Sequence, residues 1–225
     1  MITVGVDEAG VGCLAGPLII TAAAFNENKE LSKGIKDSKK LSARQREFLI
    51  DEIYEKAEWL IIKIVPVAYI NKHPHIWSAW TVAMAQLLKS CLRNKVGKII
   101  VDGKKTIPDI KNITYKVKAD SKFVQVSAAS IVSKYYQTLK MLDIHGEYPI
   151  FGFNRHKGYS TSYHKKMLKR YGPTEYHRLN YAPVREVLET HNVKHNSRVQ
   201  AFYDKHSVSS IDDSIRTVII RGSCN

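Results

Sequence analysis

Apolar residues alternate with small or polar ones from the start of the chain. Ile2, Val4 and Val6 take every second position up to Asp7, which predicts a strand over residues 2–7. Gly10, Gly12 and Gly16 then punctuate a turn before a second apolar run over 18–25. The period changes over 42–57, where Phe48, Leu49, Ile53 and Tyr54 form a helical stripe and Ser42 with Gln45 reads as a capping box. Residues 59–67 read as a buried strand. The stretch 76–94 places Trp77, Trp80, Ala83, Met84, Leu87, Leu88 and Cys91 at helical spacing, which assigns its tryptophans to the core. A short strand over 98–101 delivers Asp102 and Gly103 at its C-terminal end, and helical patterns follow at 127–145, 161–171 and 181–191. Sheet elements alternating with long helices predict a mixed α/β layered architecture.

Length supports this organisation: 225 residues suit one domain with an appendage. The domain is expected over 1–187. Residues 188–225 turn polar and weakly periodic, an extension of uncertain order with a short strand predicted at 217–220. Charge changes the picture more. Thirty-five Lys and Arg against 21 Asp and Glu leave a net +14, which favours a polyanionic partner whose condensed counterions are released on binding. Three separated cysteines without a C-x-x-C pair argue against a disulfide framework or structural zinc and suit a reducing compartment. No signal-peptide pattern opens the chain, and no apolar run reaches the roughly 18–20 residues of a membrane span. A cytoplasmic protein with no membrane association and no obligate protein partner is the expectation.

Against this basic background, two acidic sites at strand ends stand out. Asp7 and Glu8 are adjacent, and side chains that alternate along a strand share a site only where the strand finishes. Asp102 follows an apolar strand in the same way. Such carboxylates suit hard divalent cations, and two such ions can activate water and stabilise the leaving oxygen of a phosphodiester. An Asp-Glu pair alone is ordinarily a solvated turn, so the neighbouring motifs decide.

Those motifs are ordered and numerous. The run Val6-Asp7-Glu8-Ala9-Gly10-Val11-Gly12-Cys13-Leu14-Ala15-Gly16-Pro17 strongly resembles the opening signature of type 2 ribonucleases H, the ribonuclease HII family. Asp37-Ser38-Lys39-Lys40-Leu41-Ser42, Val101-Asp102-Gly103 and Ser127-Ala128-Ala129-Ser130-Ile131-Val132-Ser133-Lys134 follow in the family's order. So do His156-Lys157-Gly158-Tyr159, Tyr171-Gly172-Pro173, His177-Arg178 and Ala182-Pro183-Val184, extending the resemblance over residues 2–187.

The resemblance implies a ribonuclease H-like mixed sheet flanked by helices, with a helical C-terminal part. It implies metal-assisted cleavage of the RNA strand of RNA–DNA hybrids, including ribonucleotides embedded in duplex DNA, leaving 5′-phosphate and 3′-hydroxyl ends. Asp7, Glu8 and Asp102 would occupy three of four acidic positions holding Mg²⁺ or Mn²⁺. Gly10, Val11 and Gly12 match a turn that contacts the 2′-hydroxyl, the group that distinguishes RNA from DNA. Tyr159 matches a tyrosine stacked beside the RNA-to-DNA junction, and Lys39, Lys40, Lys157 and Arg178 are the expected phosphate contacts.

The chain departs from the family pattern at three places. Val11 stands where arginine is usual and Cys13 where proline is usual. Counting from Lys134 puts the fourth carboxylate position at Thr138, a neutral and weaker ligand, while Asp143 and Glu147 fall on other helix faces. On this reading the alternative to an active nuclease is a catalytically weak or inactive protein that still binds RNA–DNA hybrids.

Overall fold

The structure is a computed structural model that describes residues 1–36, 43–108, 110–192 and 214–221. Strand β1 (Ile2–Ala9) and strand β2 (Leu18–Asn26) form an antiparallel pair, followed by helices α1 (Lys33–Lys36) and α2 (Ala43–Lys56) and strand β3 (Trp59–Val65). Helices α3 (Val67–Asn71) and α4 (Ile76–Leu92) lead to strands β4 (Lys98–Asp102) and β5 (Ile113–Lys116). The long helix α5 (Val124–Glu147) opens the helical C-terminal part, which continues through α6 (Phe153–His156), α7 (Ser162–Tyr171) and α8 (Ala182–Asn192). Strand β6 (Arg216–Arg221) closes the described chain.

These strands form one six-stranded mixed sheet in the order β5-β4-β1-β2-β3-β6. Both faces of its centre are covered. Ile20, Ala22 and Ala24 of β2 join Val4, Val6, Trp80, Leu87 and Leu88 in the core beneath α4. Ile19, Ala23 and Phe25 face the other way and pack with Ile50 and Ile53 of α2 and Ala128, Ile131 and Val132 of α5. Strict alternation along one strand therefore feeds two apolar layers. The side of β1 that faces α5 is built for close contact: a Cβ on Gly5 would lie 2.1 Å from the Gln125 carbonyl carbon.

Most of the expected elements are present, with shifted ends. The first strand runs past Asp7 to Ala9, because β2 continues to pair with it through Ala9 opposite Ile19. The third strand stops at Val65 rather than residue 67, since Pro66 cannot donate to the ladder and instead precedes the first turn of α3. The four-residue strand β5 was not anticipated; it pairs in parallel with β4. The predicted terminal strand is the edge strand β6, antiparallel to β3, with Lys63 Nζ donating to Thr217 Oγ1 at 2.8 Å. The Ser42 capping box and Lys39 and Lys40 lie outside the described residues.

Candidate active site

The sheet register brings the acidic residues together. β1 and β4 run parallel and adjacent, with Val6 opposite Val101, so Asp7 and Asp102 leave neighbouring strands at the same level. The C-terminal ends of parallel strands are where α/β sheets commonly place ligands. Asp102 is fixed by the Ala119 backbone N–H, which donates to its Oδ1 at 2.6 Å. That amide belongs to a single 3₁₀ turn, Ala119–Ser121, which also carries the buried Asp120.

Asp7 and Glu8 sit on opposite faces of β1, as continued strand pairing requires. Asp7 faces α5, where Ser133 Oγ donates to its backbone carbonyl at 3.0 Å and stands 2.8 Å from the Thr21 hydroxyl. Burial raises the Asp7 carboxyl to about 6; Ser130 and the Glu8 amide oppose the rise, and the negative charges of Asp102 and Asp120 add to it. Glu8 faces α4. Burial, followed by the charge of Asp7, pushes it up to about 8, with Asp102 adding further and the Trp80 indole favouring the charged form. Even so, neither Glu8 Oε2 nor Trp80 Nε1 completes a hydrogen bond.

Asp102 and Asp120 therefore act on Asp7, and Asp7 and Asp102 act on Glu8. Among the described residues, no ion pair relieves Asp7, Glu8 or Asp102. Among the same residues, no three His, Cys, Asp or Glu side chains already form a ready-made metal-binding group. The donor set nonetheless fits a hard divalent cation: it is all carboxylate oxygen, largely buried, mutually repulsive, and includes a buried Glu8 oxygen without a partner.

A further acid that the sequence pattern does not single out, Asp120, acts on Asp7 through its charge. Thr138, expected at the fourth position, lies eight residues beyond Ser130 on α5, or about 12 Å further along the helix axis. It does not figure among the groups that set the charge of Asp7 or Glu8, whereas Asp120 does. The signal available was Lys118-Ala119-Asp120-Ser121, a polar turn directly before a long apolar helix. Its approach to Asp7 depends on tertiary packing that local pattern does not reveal.

Next to the acids, the glycine turn is held firmly. Gly10 has φ +91°, and a Cβ there would lie 2.9 Å from the Pro17 carbonyl oxygen, so glycine is required. Val11 packs half-buried against the α4-side core, and Gly12 is exposed. The Tyr159 ring lies beside Gly12, its Cε1 4.0 Å from where a Gly12 Cβ would stand, and Tyr159 forms a β-bridge with Cys13. Half of that ring is open to solvent.

The expected phosphate contacts divide. Lys157 is half-buried in a left-handed conformation, its carbonyl accepting from Gln137 Nε2 at 2.7 Å and its ammonium resting on the Asn154 carbonyl. Arg178 corrects the expectation made for it. It is fully buried, donating through Nε and an η nitrogen to Gly16 O at 3.0 and 2.8 Å, to Pro17 O at 3.0 Å and to Val11 O at 3.0 Å. Its guanidinium braces the glycine turn from inside and does not face solvent.

Comparison with known proteins fits this arrangement. The family model for Ribonuclease HII matches residues 4–184. The chain belongs to the ribonuclease HII family. It is 42% identical over 188 residues to a Ribonuclease HII of Chlamydia muridarum (strain MoPn / Nigg), covering 82% of this chain and 83% of that one. A Ribonuclease HII of Thermotoga maritima is 39% identical over 208 residues, covering 92% of this chain and 82% of the relative. The crystal structure of the ribonuclease H2 from Pyrococcus horikoshii OT3 superposes with a TM-score of 0.72 at 27% identity, covering 86% of this chain and all of that one. Membership makes the chain an enzyme of the endoribonuclease class. The hybrid-binding, weakly catalytic alternative finds no support in these relatives.

Proposed function

We propose that this chain is a divalent-metal-dependent endonuclease, acting in the cytoplasm, that hydrolyses the RNA strand of RNA–DNA hybrids. Its substrates include single ribonucleotides embedded in duplex DNA, and its products carry 5′-phosphate and 3′-hydroxyl ends. The observation that carries this reading is the parallel β1–β4 register, which sets Asp7 beside Asp102, with the charge of Asp120 also acting on Asp7 and those of Asp7 and Asp102 on Glu8. Asp7, Glu8, Asp102 and Asp120 would hold Mg²⁺ or Mn²⁺. Ions of this kind supply an activated water and charge stabilisation at the scissile phosphate when bound.

The chain's own residues supply position. Ser133 and Ser130 tie Asp7 to α5, and the Ala119 amide ties Asp102 to the turn that carries Asp120. These acids therefore sit on a rigid frame before substrate arrives, which favours precise placement of the phosphate. The Val11 carbonyl is occupied by Arg178 and Tyr181, so recognition of a 2′-hydroxyl falls to the other backbone groups of the glycine turn. Tyr159, half-exposed beside Gly12, presents its ring to the adjoining sugar or base, and Lys157 lies close enough in sequence to meet the flanking phosphate. Lys39 and Lys40 remain candidate phosphate contacts.

Incubation with a DNA duplex carrying one ribonucleotide, and with a longer hybrid, tests the proposal. Nicking is expected with Mg²⁺ or Mn²⁺, at the 5′ side of the ribonucleotide, and is expected to vanish in Asp7→Asn. Binding without cleavage in either metal would contradict it.

A further inference from the structure

Two buried histidines lie between the tyrosine and the glycine turn. His164, in the first turn of α7, and His177 are both completely buried. Their Nε2 atoms stand 3.1 Å apart. The Thr174 backbone N–H donates to His177 Nδ1 at 2.9 Å, and His164 Nδ1 stands 2.9 Å from the Tyr159 carbonyl.

The proton positions follow from this chain of contacts. An amide can only donate, so His177 Nδ1 is unprotonated and the neutral ring carries its hydrogen on Nε2. That hydrogen points at His164 Nε2, which must accept, leaving the His164 hydrogen on Nδ1 to donate to Tyr159 O. One tautomer pair satisfies every contact. The surroundings favour uncharged rings: Phe151 lies 5.0 Å from His177, Phe153 lies 5.3 Å from His164, and His156 stacks on His164 at 4.5 Å.

Each end of this pair touches an element assigned to recognition. One end holds the Tyr159 carbonyl, which also accepts from the Thr161 amide at 2.8 Å. At the other end, His177 bridges Ala15 and is followed directly by Arg178, whose guanidinium grips Val11, Gly16 and Pro17.

We propose that His164 and His177 form a neutral positioning relay that fixes the backbone at Tyr159 relative to the Gly10-Val11-Gly12 turn, and so sets affinity for the ribonucleotide junction. The relay rests on the reading of Tyr159 as a junction contact. Neither histidine touches the reacting atoms; both act through Tyr159.

Imidazole ¹⁵N spectra of the wild-type protein at pH 7.5 test the relay directly. The expected result is a hydrogen on Nε2 of His177 and on Nδ1 of His164. The opposite tautomers, or a charged ring, would overturn it. Kinetics on the single-ribonucleotide duplex test its purpose. In His164→Asn the amide falls where Nδ1 was and can still donate to Tyr159 O. In His164→Gln it falls where Nε2 was, keeping His177 but releasing Tyr159. KM is expected to rise roughly tenfold for Gln and less than about threefold for Asn, with kcat within about twofold for both. In a Tyr159→Ala background the Gln substitution should add nothing further. Equal rises for both substitutions, or an undiminished Gln effect without the tyrosine, would overturn the relay while leaving Tyr159's own role intact. A Tyr159→Ala protein with unchanged KM would remove both.

Discussion

Residues 7–8 and residues 10–17 are neighbours in sequence and opposites in physics. Asp7 is a buried acid and Glu8 a part-buried one, both held above the ordinary carboxylate range by burial and by neighbouring negative charge, and one Glu8 oxygen has no partner. A few residues on, the turn is saturated: Arg178 satisfies the carbonyls of Val11, Gly16 and Pro17, and Leu14 exchanges backbone bonds with Gly158 and Arg178. A nuclease needs both conditions. Charge left uncompensated at the strand ends is what attracts a divalent cation. A saturated frame beside it keeps the substrate in register while that charge is neutralised.

The two regions should therefore respond oppositely to loss of a polar group. Arg178→Leu strands several buried carbonyls and should cost on the order of 4 kcal/mol in urea unfolding. A loss below about 1 kcal/mol would mean that the turn does not depend on its brace. Asp7→Asn should do the reverse. A buried acid whose pKa is raised on folding destabilises the native state once pH exceeds its unfolded value, and the full cost is present above about 6. In EDTA at pH 7.5 the Asn protein should be more stable by on the order of 2 kcal/mol, while cleavage is abolished.

Acid separates the regions by sign as well. Burial lowers His164 to about 4 and His177 to about 3, so their contribution is intact above 6.5 and is lost as pH falls toward those values. The acidic centre gains stability over much of the same fall, because Asp7 and Glu8 become neutral. Comparing wild type with His164→Asn isolates the histidine part: the stability gap should narrow by about 1 kcal/mol between pH 7 and pH 5.5. A gap that stays constant or widens would show that His164 is not held neutral.

Much of the fold was legible because periodicity is a local property. Alternation in β1 and β2, the apolar stripe of α4 and the run before Asp102 report burial directly, except that Trp77, expected in the core, is exposed. The strand β5 was hidden because four residues, with Thr114 and Lys116 among them, carry too little pattern. Pro66 was in plain view, yet the apolar Val67 behind it extended the apparent strand. In the proposed site, Asp7, Glu8 and Asp102 were the legible candidates because each sits in a run whose order is distinctive. Asp120 was not, since a one-turn 3₁₀ segment has no periodicity and reaches Asp7 only through the parallel pairing of β1, β4 and β5. Arg178 was misread for a related reason: an arginine in a basic chain looks solvated until the carbonyls that surround it are known.

Asp120, rather than Thr138, would complete the acidic centre. Single-turnover cleavage of the one-ribonucleotide duplex at saturating Mg²⁺ and Mn²⁺, comparing Asp120→Asn with Thr138→Ala, tests it most directly. The expected result is a loss of at least about 100-fold for Asp120→Asn and a rate within about twofold of wild type for Thr138→Ala. Near-normal cleavage by Asp120→Asn together with a large loss in Thr138→Ala would contradict it.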